Sequence, residues 1–252
     1  GQPVGVAGQS TLHDSAWLHV SGQARYIDDL PEPEGILHAA VGHSEQAHAR
    51  IKSMDLSAVR AYPGVVAVLT VDDVPGHTDI GPVFPGDPVL AGELVEHIGQ
   101  PIFAVAATSH TAARKAAKLA KVEYEPLHAV LDTREALEKQ FFVRPSHTQQ
   151  RGDPDAALAG APHRLKGEIN VGGQEHFYLE GQACVALPQE DGGMFVHTSS
   201  QHPSEVQKLV AEVLGVPIHA VTTEVRRMGG GFGGKETQAA PVACVAALLA
   251  NA

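Results

Sequence analysis

The clearest periodic signal in the chain is Val206, Leu209, Val210, Val213 and Leu214. This i, i+3, i+4, i+7, i+8 series puts one apolar stripe on a helix. Pro203 suits the first turn of that helix. Gly215 ends it and Pro217 prevents its resumption. Short apolar or β-branched runs at 36–41, 48–54, 65–70, 101–106 and 122–124 predict strands. Between them, Asp55 or Ser57 caps a short helix through Ala61, stopped by Pro63-Gly64. Ser109 caps a helix over 111–120, with Ala112, Ala116 and Leu119 on one face and Lys115, Lys118 and Lys121 on the solvated side. Residues 133–139 read as another short helix, and the Pro-, Gly- and Asp-rich stretch 71–92 as loop. Residues 1–20 form an irregular lead-in, with Leu12, Trp17 and Leu18 as expected anchors.

Strands and helices thus alternate through about residue 138 and then stop. Residues 139–165 carry Arg144-Pro145, Gly152-Asp153-Pro154 and Gly160-Ala161-Pro162, the composition of a linker. Two domains are expected, 1–138 and 166–252, joined by that segment. The second opens with strands at 166–171 and 182–187, then a turn at Asp191-Gly192-Gly193 and a strand at 194–198. After the periodic helix come a strand at 221–225, a glycine run, and an apolar helix over 239–250. The fold class is α/β (α+β), without internal repeats.

Composition narrows the partners. Hydrophobic residues make up 43% of 252, enough for a substantial core. A net charge of −11 disfavours nucleic acid and anionic membrane. Cys184 and Cys244 lie far apart and form no Cys-x-x-Cys pair, so two reduced core thiols are expected and an iron–sulfur cluster on this chain is excluded. None of the 15 histidines shows tight ligand spacing; even His43 and His48 sit in a loop-like stretch. The longest apolar run, 239–250, is too short to span a bilayer and contains Pro241. The chain does not open on a charged-then-apolar targeting pattern, and a cytoplasmic setting is expected.

The densest unusual stretch is Arg226-Arg227-Met228-Gly229-Gly230-Gly231-Phe232-Gly233-Gly234-Lys235-Glu236. A glycine loop between a strand and a helix can turn backbone N–H groups toward an anion. A surface turn would not call for five glycines around a phenylalanine. Gly229, Gly234 and Lys235 have P-loop spacing, but Glu236 stands where a hydroxyl should bind magnesium. The glycines also satisfy a bare Gly-x-Gly-x-x-Gly, which alone is weak. These residues therefore suggest an anionic cofactor other than ATP or NAD.

A second stretch, Gly172-Gly173-Gln174-Glu175-His176-Phe177-Tyr178-Leu179-Glu180, completes a pattern. With the glycine run, with 21–29 (Ser-Gly-Gln-Ala-Arg-Tyr-Ile-Asp-Asp) and with Gly99-Gln100-Pro101-Ile102, it resembles the molybdenum-cofactor subunit of xanthine dehydrogenases and aldehyde oxidases. The resemblance implies an α/β hammerhead followed by the beginning of a molybdopterin-binding domain. It implies that Gln174, Gly230, Gly231, Phe232 and Gly233 bind a molybdopterin-type cofactor, with Gln174 and the Phe232 backbone beside the metal's ligands. Glu236 is then the carboxylate that holds a purine, xanthine or hypoxanthine, on the way to urate. On chemistry alone, Glu236 could equally complement a helix dipole, Phe232 could plug the loop onto the core, and Gln174 could end a strand. His176, Tyr178 and Glu180 would share a strand face with a supporting or structural role.

The resemblance also implies iron–sulfur and FAD units on other parts of a hetero-oligomeric enzyme. The general base, and an arginine opposite Glu236, are expected beyond Ala252, so no catalytic residue is expected in this chain, which reads as a piece of a longer subunit. The alternatives are a molybdenum aldehyde or N-heterocycle oxidoreductase, and a cofactor-free structural or assembly fragment when isolated.

Overall fold

A computed structural model describes residues 7–252; residues 1–6, the start of the expected lead-in, lie outside the described residues. In chain order the elements are α1 (Ala16–Val20), β1 (His38–His43), β2 (Ala49–Asp55), α2 (Ser57–Arg60), β3 (Val65–Leu69), β4 (Leu94–Val95), β5 (Pro101–Ala107) and α3 (His110–Ala117). They continue with β6 (Lys121–Pro126), α4 (Thr133–Glu138), α5 (Pro154–Gly160), β7 (Cys184–Pro188), β8 (Met194–Thr198), α6 (Pro203–Leu214), β9 (Val221–Glu224) and α7 (Ala239–Asn251). Three three-stranded sheets result, ordered β1-β5-β3, β4-β2-β6 and β7-β8-β9.

The strand β5 is buried at every position after Pro101 because both of its faces are covered. Successive strand residues point to opposite faces. Phe103 and Val105 enter one core with Ala49, Val59 and Val95, and Ile102 joins them where the pairing with β1 shifts register at Gly42 and His43. Ala104 and Ala106 enter a second, larger core. Phe103 also explains Gly42 opposite it on β1, where a Cβ would lie 1.9 Å from the ring.

The larger core crosses the expected domain boundary. Ile80, Leu90, Ala104 and Ala106 pack there with Met194, Val196, Leu209, Val213 and Leu248. The stripe read from the sequence on α6 is the buried one, and Gly215 ends the helix in the left-handed region at φ 67°. The last carbonyls of α6 are met from the first half: Gly76 N–H donates to Val213 at 3.0 Å and His77 N–H to Glu212 at 2.8 Å. A Cβ on Gly76 would stand 2.0 Å from the Glu212 carbonyl oxygen.

Among the described residues, every pairing is antiparallel except β8 with β9, which run parallel with Met194 opposite Val221 and His197 opposite Glu224. Parallel neighbours need a crossover, and α6 supplies it. The α7 helix follows, buried along most of its length, with Pro241 in the first turn where its missing N–H costs little. Among the described residues, no helix is long and apolar enough to cross a membrane.

Several local expectations change. The short α1 buries none of its residues, and Leu12 and Trp17 are 85% and 70% exposed, so they do not anchor the lead-in. A five-residue helix is too short to present an apolar stripe. The Ser109 cap forms, accepting from Ala112 N–H at 3.1 Å, but α3 ends at Ala117 and leaves Leu119 exposed. Within 139–165, the Gly-Asp-Pro read as a breaker is a helix start: Asp153 accepts from Ala156 N–H at 2.9 Å and Pro154 opens α5. The strand expected over 166–171 is not formed. Leu165, Ile169, Val171, Phe177 and Leu179 are each at least 71% exposed. Their alternation is that of a strand, but no described strand lies beside them to complete a ladder.

Candidate functional site

Two loops leave the carboxyl ends of the parallel strands. Residues 199–202 follow β8, and residues 225–238 follow β9 and enter α7. Open α/β sheets hold ligands at this end of their strands. The glycine run therefore sits where the topology favours a site.

Two side-chain oxygens tie the run down. Gln201 Oε1 accepts from Gly233 N–H at 3.0 Å and Lys235 N–H at 3.2 Å, and Gln201 N–H donates to the Lys235 carbonyl at 2.8 Å. Glu180 Oε2 accepts from Gly229 N–H at 2.9 Å, from Lys235 Nζ at 3.0 Å and from the Ser199 hydroxyl. Glu180 N–H returns a bond to the Gly229 carbonyl at 3.2 Å. Lys235 is 0% exposed; its ammonium also donates to Ser199 Oγ at 2.7 Å and lies 4.8 Å from the Tyr178 ring centre. Gln182 Nε2 joins Tyr178 Oη at 3.0 Å to the Gly234 carbonyl at 3.1 Å. Burial pushes the Glu180 carboxyl up, but the Gly229 N–H, the Ser199 hydroxyl and the Lys235 ammonium outweigh it and hold it below its ordinary value.

Four of the five glycines are dictated by close approach: a Cβ on Gly229 would lie 2.4 Å from Glu180 Cβ and one on Gly230 2.9 Å from Tyr178 Cβ. A Cβ on Gly231 would lie 2.7 Å from Gln201 Oε1, and one on Gly234 would lie 2.7 Å from the Tyr178 ring and 2.8 Å from His176. The segment after Gln174 is therefore a packing partner of the loop. It is not the half-polar strand expected, since residues 175–180 have no ladder.

The middle of the run is free. Among the described residues, the N–H groups of Gly230, Gly231 and Phe232 have no acceptor. Phe232 has φ 50° and its side chain is 75% exposed, so it does not plug the loop onto the core. Glu236 is exposed and, among the described residues, without a partner, just ahead of α7. Gln174 is exposed in the irregular tract and makes no hydrogen bond among the described residues. The structure thus brings Gly230, Gly231, Phe232, Gly233 and Glu236 together on one loop, while the segment that packs against it is 176–180, after Gln174.

Spacing did not reveal Ser199, Gln201 and the buried Lys235, because they lie 19 to 55 positions from the residues they bind. Arg227 at the base of the loop donates to the Arg25 carbonyl, which ties the motif at 21–29 to the glycine run. Cys184 is half-buried against the larger core and Cys244 lies within it; burial pushes the Cys184 thiol up to about 12, and the fully buried Cys244 is pushed up as well.

Residues 21–128 match the aldehyde oxidase and xanthine dehydrogenase a/b hammerhead domain, and residues 135–252 match the molybdopterin cofactor-binding domain. The chain is 39% identical to a xanthine dehydrogenase/oxidase of Gallus gallus and 40% identical to an aldehyde oxidase 4 of Mus musculus, in each case over 97% of this chain. It spans 18% of the length of either relative. The quinoline 2-oxidoreductase of Pseudomonas putida 86 superimposes over 96% of this chain and 33% of its own, with a TM-score of 0.79 at 28% identity. The hammerhead match, the cofactor-domain match behind it and the shared fold place the chain in the aldehyde oxidase and xanthine dehydrogenase family, to which it belongs.

Proposed function

We propose that this chain forms one wall of the cofactor and substrate site of a longer xanthine dehydrogenase-type polypeptide that hydroxylates purines, hypoxanthine and xanthine, to urate. The carrying observation is the loop: three consecutive peptide N–H groups without an acceptor, followed by an unpartnered carboxylate.

The residues fit a molybdopterin cofactor. Such a group presents oxo, sulfur and phosphate acceptors, and the N–H groups of Gly230, Gly231 and Phe232 are donors with nothing else to bind. Bound there, the cofactor supplies a metal centre that takes two electrons from the substrate and delivers oxygen derived from water. Gly230, the first of the free donors, and Gly233, just after the last, set the loop's turns at φ 105° and 90°. The Gln174 amide, neutral and unpartnered, can donate to an acceptor without adding charge. Glu236 accepts a purine N–H, and its free carboxylate costs nothing to divert from another contact.

In this reading the base and the opposing arginine come from elsewhere in the polypeptide. Electrons leave to an iron–sulfur/FAD subunit or domain within a cytoplasmic hetero-oligomer. Neither nucleic acid nor membrane is a partner, in keeping with the charge of −11.

A second reading, oxidation of an aldehyde or an N-heterocycle, is favoured by one observation. The aldehyde oxidase relative is as similar in sequence as the xanthine dehydrogenase, and the fold matches a quinoline oxidoreductase. Steady-state turnover of xanthine, an aromatic aldehyde and quinoline by the longer polypeptide, normalised to bound molybdenum, separates the two. Xanthine is expected to have the highest kcat/KM. Turnover of the aldehyde or of quinoline without xanthine turnover would replace the first reading by the second.

A further inference from the structure

A fully buried lysine is an expensive way to hold a loop. Stripping an ammonium of water is costly unless it is paired and hydrogen-bonded. Even a well-made interior ion pair is often no more stabilising than an apolar pair of the same shape. Lys235 therefore calls for a role set by the charged Glu180 carboxylate it binds, beyond apolar packing. Its three contacts lie beneath the glycine run, on Glu180, Ser199 and Tyr178. The oxygen it grips, Glu180 Oε2, is the one that holds Gly229 N–H. One carboxylate oxygen thus binds the first residue of the loop through its amide and the last through its side chain. Gln201 Oε1 takes the amides of Gly233 and Lys235. Among the described residues, within 229–235 the tied amides are those of Gly229, Gly233, Gly234 and Lys235, and the free ones are those of 230–232.

We propose that Glu180 and Lys235 are positioning residues: the carboxylate, steered by Lys235 and Ser199, fixes Gly229 so that the amides of Gly230, Gly231 and Phe232 are presented in one arc to the bound cofactor. The inference rests on the cofactor reading above, but the latch can be tested without it. The ammonium's part is to hold Oε2 under Gly229. Without it the carboxyl has no buried cation and can turn away, taking the Gly229 contact with it.

Two double variants separate a latch from a simple stabilising pair. E180Q/K235M and E180M/K235M both remove the ion pair at similar volume. Only the first keeps an oxygen for Gly229 N–H. Amide hydrogen exchange is measured on the 252-residue chain, and molybdenum content on the longer polypeptide. In E180M/K235M, exchange at Gly229 is expected to rise about ten- to a hundredfold, the equivalent of a lost hydrogen bond to a charged acceptor, with molybdenum lost. E180Q/K235M is expected to stay within about threefold of wild type at Gly229, because a neutral hydrogen bond remains, and to keep most of its metal. Exchange in β8 should be unchanged in both. Equal exchange at Gly229 in the two variants, or normal molybdenum content in E180M/K235M, would overturn the proposal. Should either fail to fold, Ser199→Ala removes one donor from Glu180 with little change in volume. It is expected to speed exchange at Gly229 severalfold, and no change there would count against the latch. Absence of molybdenum from the wild-type polypeptide would sink the cofactor reading alone, leaving the exchange comparison to decide the latch.

Discussion

Gly231→Ala is the smallest perturbation that tests how the loop is held. The added Cβ would stand 2.7 Å from Gln201 Oε1, 2.8 Å from its Cδ and 3.0 Å from its Cγ. The Gln201 side chain must therefore move. Its oxygen holds Gly233 N–H at 3.0 Å and Lys235 N–H at 3.2 Å, so both bonds are lost together. At about 0.5–1.5 kcal/mol net for each, the loss is about 1–3 kcal/mol. Alanine returns about 0.4–1 kcal/mol by restricting the unfolded chain, which leaves a net cost of about 1.3 kcal/mol at mid-range. For a chain of this size that lowers Tm by about 3–5 °C. Gly167→Ala is the control, because nothing lies within 4 Å of its Cβ and its φ is not positive. Thermal melts of the 252-residue chain and molybdenum content of the longer polypeptide are the measurements. Gly231→Ala should melt lower and hold less metal, while the control stays near wild type. A Gly231→Ala protein with wild-type Tm and metal would mean that Gln201 does not hold the loop.

Glu236→Val should leave stability within about 0.5 kcal/mol, since the side chain is exposed and unpartnered. Its effect should fall on purine kcat/KM, which should drop about ten- to a hundredfold for a lost bond of about 1.5–3 kcal/mol; equal losses on xanthine and an aldehyde would make Glu236 structural. The depressed Glu180 pKa stabilises the fold above the ordinary carboxyl value, and that contribution is lost as pH falls through the depressed one. The urea-stability gap between wild type and Glu180→Gln should therefore narrow in acid, and a constant gap would show that the charge is not what matters. Limited proteolysis should nick the exposed tract between 139 and 180 and leave both pieces associated through the core shared by Leu90, Ala104 and Leu209. Dissociation of the nicked pieces on size exclusion would show two independent domains. The 252-residue chain alone should hold no stoichiometric molybdenum, because Gln174 lies in an unpaired, exposed tract; elemental analysis checks this.

What could be read in advance was local. The α6 stripe, the Gly215 stop and the Ser109 cap depend on neighbours within a few residues, and each forms as the spacing dictates. The glycine run stood out as a candidate ligand loop because its composition is costly without a purpose. What holds it was not legible. Glu180, Ser199, Gln201 and Lys235 meet only because β8 and β9 end side by side, and parallel pairing through α6 leaves no mark in the spacing of those residues. The strand expected over 166–171 has the right alternation, but a strand also needs a neighbour, which its own sequence cannot specify. The same holds for the core that joins the halves: the alanines of β5 look like small neutral positions until α7 is laid against them.

The unpaired tract around Leu165, Ile169 and Val171 bears on handling the protein. It offers alternating apolar side chains and an open row of backbone donors and acceptors, the template on which a second chain can add a strand. The isolated chain should therefore be limited in concentrated solution by sticking to itself along this edge well before its core gives way. Charged or proline substitutions at Ile169 and Val171 are the direct remedy for preparing it, and they touch neither the loop nor the residues that grip it.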